Sequence, residues 1–158
     1  MSIPLITDWS AGDAAIDQLL ALATRSLLVF DRDLSRLAFE RPQRMAELVR
    51  LLRSGTQARA ELIVQDAGPL QRTQPRLLAL LSRESQRLSI IEAPAHLTGL
   101  AESLLIVDGR HALLRFHRDQ PRARLLLDAP QDCARWLQRF AEIRGEGGTP
   151  LSATTLGL

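Results

Sequence analysis

Two apolar runs, Ser103 to Val107 and Ala112 to Phe116, flank a segment that opens on Asp108-Gly109. Asp-Gly favours the backbone angles of a two-residue reversal, so the runs are expected to pair as an antiparallel hairpin. Further strand-like runs are Ser26 to Phe30, Arg59 to Gln65, Ser89 to Ile91 and Arg122 to Leu127, and Leu37 to Glu40 reads as a short strand paired back on the first. Helical spacing intervenes. It places Ile16, Leu19, Leu20 and Ala23 on one face, then Met45, Leu48, Val49, Leu51 and Leu52 after Pro42, then Leu77, Leu78, Leu80 and Leu81. A last helix carries Cys133, Trp136, Leu137, Phe140 and Ile143. Arg44, Glu47, Arg50 and Arg53 are assigned to a solvated face. Ser10-Ala-Gly-Asp13 and Asp128-Ala-Pro-Gln131 have capping-box spacing. Six or seven strands alternating with four helices predict a layered α/β domain, its sheet mixed and mostly parallel, flanked by helices. That single domain is expected over 1–144, with 145–158 a flexible tail that lacks a core pattern.

A chain of 158 residues suits one domain that buries a sizeable core without staples. Its apolar runs are far shorter than the roughly 20 residues a membrane span needs. Met1 to Ser10 has neither a basic nor an apolar signal region. A soluble, cytoplasmic domain with no membrane partner is therefore expected. Cys133 is the single cysteine, which excludes an intramolecular disulfide and a cysteine-rich zinc site. His96 is not at ligand spacing from His111 and His117, so no metal or cofactor is expected. All 20 basic residues are arginines. Without lysine, Schiff-base chemistry, a P-loop lysine and a Ser–Lys dyad are excluded.

With a two-residue turn, Ile106 faces His111, Leu104 faces Leu113, and Glu102 faces Arg115 as a cross-strand ion pair. His111, Leu113, Arg115 and His117 then share one face of the strand, and Ala112, Leu114 and Phe116 the other. Between Arg110 and Arg124, five arginines stand against one acid, a local +4 in a chain of net +2. Arg110, His111, Arg115, His117, Arg118 and Arg122 are therefore the candidate anion-binding residues. Nucleic acid is the weaker partner for them: alternation divides the arginines between faces, and Phe116 is the segment's lone aromatic.

Glu102-Ser-Leu-Leu-Ile-Val-Asp-Gly109, the returning strand, and a final helix with Trp136 and Phe140 resemble the C-terminal part of a phospholipase D-like domain. The order of elements from Ala14 to Ile143 fits that family's α/β/α sandwich. More narrowly, the chain resembles an uncharacterised proteobacterial branch of the fold, often associated with acetyltransferase-like domains. The family carries His-x-Lys-x4-Asp on a strand entering an Asp-Gly turn. With its Asp on Asp108, the Lys falls on Ser103 and the nucleophilic His on Ala101. The family's Gly-Ser-x-Asn falls on Arg115-Phe116-His117-Arg118. Alanine cannot form the covalent intermediate and serine brings no positive charge to phosphate.

The resemblance with these departures implies a non-catalytic interaction or regulatory module, with no catalytic residues and with Ala101, Ser103 and Asp108 as degenerate motif positions. A homodimer and an acetyltransferase-like protein are the partners it implies. Two alternatives stay open. One is an anion or nucleic-acid binder using the Arg110 to Arg124 segment. The other is a divergent phosphodiester hydrolase with His117 as general base, oriented by Asp108 or Glu102.

Overall fold

The computed structural model describes residues 5–152. Helix α1 (Trp9–Leu22) leads into β1 (Ser26–Asp31); α2 (Pro42–Leu52) joins β1 to β2 (Arg59–Val64). A short α3 (Leu70–Thr73) and α4 (Pro75–Arg83) join β2 to β3 (Leu88–Glu92). The chain continues through β4 (Ser103–Val107), β5 (His111–Arg115), β6 (Arg124–Leu126), α5 (Pro130–Gly145) and β7 (Thr149–Pro150). Proline opens α2, α4 and α5 at a position where no N–H is needed.

Among the described residues seven strands form one sheet, in the order β6-β5-β4-β1-β2-β3-β7. The helical crossovers make β1, β2 and β3 parallel. The other four pairings are antiparallel, so the sheet is mixed rather than mostly parallel. For β4-β5 and β5-β6 the cause is connection length: their links are too short for a crossover helix and must fold back. Alternation sends Leu27, Val29, Leu62, Leu105 and Leu113 to a core under α1, α2 and α4. Phe30, Ile63, Leu104, Ile106 and Leu114 pack on the other side with Cys133, Phe140 and Ile143 of α5. The result is an α/β/α sandwich, and no helix of the described residues is long and apolar enough to cross a membrane.

Several expectations are corrected. Val107 pairs with His111 and Ser103 with Arg115, because the turn holds Asp108, Gly109 and Arg110 rather than two residues. Arg110 N–H donates to Val107 O at 3.0 Å. Glu102 consequently pairs with Arg139 of α5, at 2.7 Å, and not with Arg115. Leu37 to Glu40 is not a strand: Leu34, Leu37 and Phe39 are buried anchors of an irregular loop, with Leu34 and Ala38 at φ +65 and +44. Asp8, not Ser10, caps α1, accepting from Ala11 N–H at 2.7 Å. Asp128 does not cap α5 but pairs with Arg110. The expected tail is partly ordered: β7 joins the edge of β3 and Leu151 is buried. This approach needs Gly148, where a Cβ would collide with Glu92 O. Residues 153–158 of that expected tail lie outside the described residues.

Candidate functional site

The antiparallel pairing of β4 with both β1 and β5 aligns three chain positions at one end of the sheet. There β1 ends at Asp31, β4 begins at Ser103 and β5 ends at Arg115. All three project to the α1 side, and Ser103 Oγ–H donates to Asp31 Oδ1 at 2.7 Å. The other Asp31 oxygen accepts the N–H groups of Leu34 and Asp33, at 2.8 and 3.3 Å, which pins the start of the loop to α2. This row is the floor of a cleft of about 570 Å³, walled by the first turns of α1, by that loop and by the segment after β5. Its size lies within the range of small-molecule sites.

Arg115 dominates the cleft. Only 6% of the residue is exposed, and its Nε is buried without a hydrogen-bond partner. It forms no ion pair among the described residues, although Trp9 lies beneath its guanidinium at 4.8 Å and also carries Arg36 at 3.4 Å. Burial and the neighbouring charge of Arg36 lower its pKa, while Asp31 and Asp13 act in the opposite sense. Room for the guanidinium comes from Gly12: a Cβ there would stand 2.9 Å from Arg115 Nη2. Replacing Gly12 by alanine is expected to displace Arg115 and its unpartnered donor from the cleft floor. Stability should stay within about 1 kcal/mol of the parent, because the helix gains from alanine what the arginine loses. A thermal melt and a crystal structure of the variant check this.

The proposed anion residues do not converge. Arg115 and Arg118 line the cleft. Arg118 also donates to Leu100 O at 2.7 Å and to Gln65 Oε1 at 3.4 Å. Arg110 and His111 lie at the far end of β5, where Arg110 pairs with Asp128 and His111 Nδ1 accepts from Asp128 N–H at 2.8 Å. His117 Nδ1 accepts from Asp119 N–H at 3.3 Å, and Arg122 is not among the residues of the cleft.

Of the motif positions, Ser103 is in the cleft floor, and Ala101 contributes only a backbone carbonyl to Arg118 N–H, at 2.8 Å. Asp108 sits at the opposite sheet end. Its carboxylate takes the N–H groups of Thr24, Arg25 and Ser26 and the Thr24 hydroxyl, at 2.7 to 3.2 Å. With Asp108 so engaged and Glu102 on Arg139, both acids named for a His117-centred hydrolase have other partners. Trp9, Gly12, Asp31 and Arg36 are the site residues that sequence reasoning missed. The available signal was weak: an aspartate ending an apolar strand and a glycine inside a helical pattern.

Comparison with solved structures places the fold. TrmBL2, an archaeal chromatin protein with a novel mode of DNA binding, matches at TM-score 0.68 and 11% identity, over 94% of this chain and 54% of its own. The chain thus spans about half the length of that protein. Nuc, a phospholipase D family member from Salmonella typhimurium, matches at TM-score 0.58 and 9% identity, over 88% of this chain and 90% of its own. The sandwich is therefore phospholipase D-like in fold. No curated protein matches the sequence. A family model does, over residues 9–147, and the chain belongs to that family, a domain of unknown function designated DUF7931.

Proposed function

We propose that this domain is a non-catalytic, ligand-binding regulatory module that holds a small anion in the cleft against Arg115. The observation that carries the reading is a 94% buried arginine whose Nε has no hydrogen-bond partner and which forms no ion pair among the described residues, facing a cleft large enough for a ligand. A buried charge without a partner is destabilising, and it persists where a ligand supplies the partner. The absence of catalysis is supported by Ala101 and Ser103 at the positions that align with the family's nucleophile and phosphate-binding lysine. Occupancy would then be passed to a partner. The resemblance nominates a second copy of the chain or an acetyltransferase-like protein, in a cytoplasmic, proteobacterial setting.

The test is a thermal melt of parent and Arg115→Met in graded concentrations of small anions at constant ionic strength. The parent is expected to rise in Tm with anion, by the mass-action effect of binding to the folded state. The variant should melt at or above the parent, by up to about 1 kcal/mol, because a desolvated charge is gone. It should also lose at least tenfold in anion response. An equal response in both proteins overturns the reading.

Nucleic acid is a second reading only through TrmBL2, and the separation of Arg110, paired with Asp128 at the far end of β5, from Arg115 and Arg118 in the cleft weighs against a basic stripe here. Fluorescence anisotropy with labelled single- and double-stranded DNA at about 50 and 200 mM salt is expected to show no binding that collapses with salt. Binding that falls by several powers of ten would reverse the order of the two readings.

A further inference from the structure

Taking that anion-binding reading as its premise, we infer that the cleft selects a small monoanionic carboxylate over a phosphoryl group. Five arginines and four aspartates line it, an excess of one positive charge. Several of them are engaged, although Arg118 Nε, like Arg115 Nε, is buried without a partner. Asp13 accepts from Arg44 at 3.0 Å and lies 3.6 Å from Arg41, Arg118 is turned to Leu100 O and Gln65, and Arg36 is stacked on Trp9. Arg115 alone combines deep burial, an unpartnered Nε and a place on the cleft floor.

A single guanidinium presents its donors as a planar fork, which fits the two oxygens of a carboxylate side-on. A phosphate monoester is close to dianionic at neutral pH and presents three acceptor oxygens. Its second charge would lie on a floor that sets Asp31 beside Arg115 and holds no second arginine, with Arg32, Arg36 and Arg118 in the walls. Phosphoryl sites are normally clustered with several donors or with lysine, and this chain has no lysine. The rest of the floor is apolar: Ile16, Leu105 and Leu113 are buried at its base and Leu37 at its wall. A carboxylate attached to a short hydrocarbon or hydroxylated body matches that combination of one fork and an apolar base.

The experiment uses the intact chain carrying Trp136→Phe, so that Trp9 is the sole indole and reports on the guanidinium stacked over it. Lactate and benzoate serve as monocarboxylate probes, and inorganic phosphate and methyl phosphate as phosphoryl probes, all at matched ionic strength. Both carboxylates are expected to bind at least tenfold more tightly than either phosphoryl probe near pH 7.5. Methyl phosphate should gain affinity near pH 5, where it becomes a monoanion. Arg115→Lys, which retains the charge and removes the fork, should weaken carboxylate binding at least tenfold. Phosphoryl probes that bind as tightly as the carboxylates, or more so, would overturn this selectivity and leave the anion-binding module standing. Silence toward all four probes would overturn both.

Discussion

Replacing Arg44 by alanine is expected to destabilise the domain by about 3–5 kcal/mol, a sum of the cavity left by a large buried side chain and of backbone carbonyls left without donors. Arg44 is 1% exposed, yet its guanidinium is fully occupied. Nε donates to Asp17 at 2.7 Å and Nη2 to Asp13 at 3.0 Å, both on α1. Nη1 donates to the carbonyls of Leu37 and Arg36, at 2.9 and 3.3 Å, in the loop that walls the cleft. One side chain therefore ties α2 to α1 and to the segment that carries Arg36. Asp13 and Asp17 are about half exposed, so water can take over their charges when the arginine is gone. The carbonyl of Leu37, whose hydrogen bond is buried, is the group that suffers. Arg44→Met separates the contributions: it keeps much of the apolar volume and is expected to recover roughly half of the loss, the remainder being the unpaired carbonyls. Denaturant unfolding of both variants measures this. Equal losses would mean that packing contributes little and hydrogen bonding dominates. Anion response should fall in both variants, since the wall loop is no longer tied.

Arg44 also shows where sequence reasoning reaches its limit. It stands four residues before Leu48 and seven before Leu51, on the stripe that α2 buries, but its residue type argued for water. Pattern and residue type conflicted, and only the acids and carbonyls arriving from α1 and the loop resolve the conflict. The hairpin, the proline-started helices and the alternating core were legible because each is specified within a short window of chain. Turn length was not: Asp108-Gly109 permits a two-residue reversal, and the observed three-residue turn follows from what Asp108 binds at Thr24 to Ser26. Arg115 was legible as a candidate and its setting was not. Trp9 and Gly12, which shape its pocket, are about a hundred residues away in sequence and carry no local sign of their role.

Asp108→Ala is expected to cost about 2–4 kcal/mol and to change how stability responds to acid. The residue occupies φ +55, where alanine is strained by roughly 1–2 kcal/mol, and its carboxylate closes the chain between α1 and β1 by accepting three consecutive N–H groups. Partial burial raises its pKa, but the N–H groups of Ser26, Arg25 and Thr24 and the Thr24 hydroxyl outweigh that and hold it below the ordinary aspartate value. A carboxylate whose folded pKa is depressed contributes stability in full above its unfolded pKa, near 3.9, and loses it as pH falls through the folded value. The parent should therefore lose this contribution below about pH 4. Asp108→Asn tolerates the left-handed backbone and presents one acceptor oxygen with a competing donor, so it isolates the charge from the conformation. It is expected to be about 1–2 kcal/mol less stable than the parent at pH 7, with the gap narrowing as pH falls below about 4. Unfolding free energies measured from about pH 3 to pH 7 decide the matter. A constant gap between parent and Asp108→Asn across that range would show that the carboxylate's charge does not hold this loop.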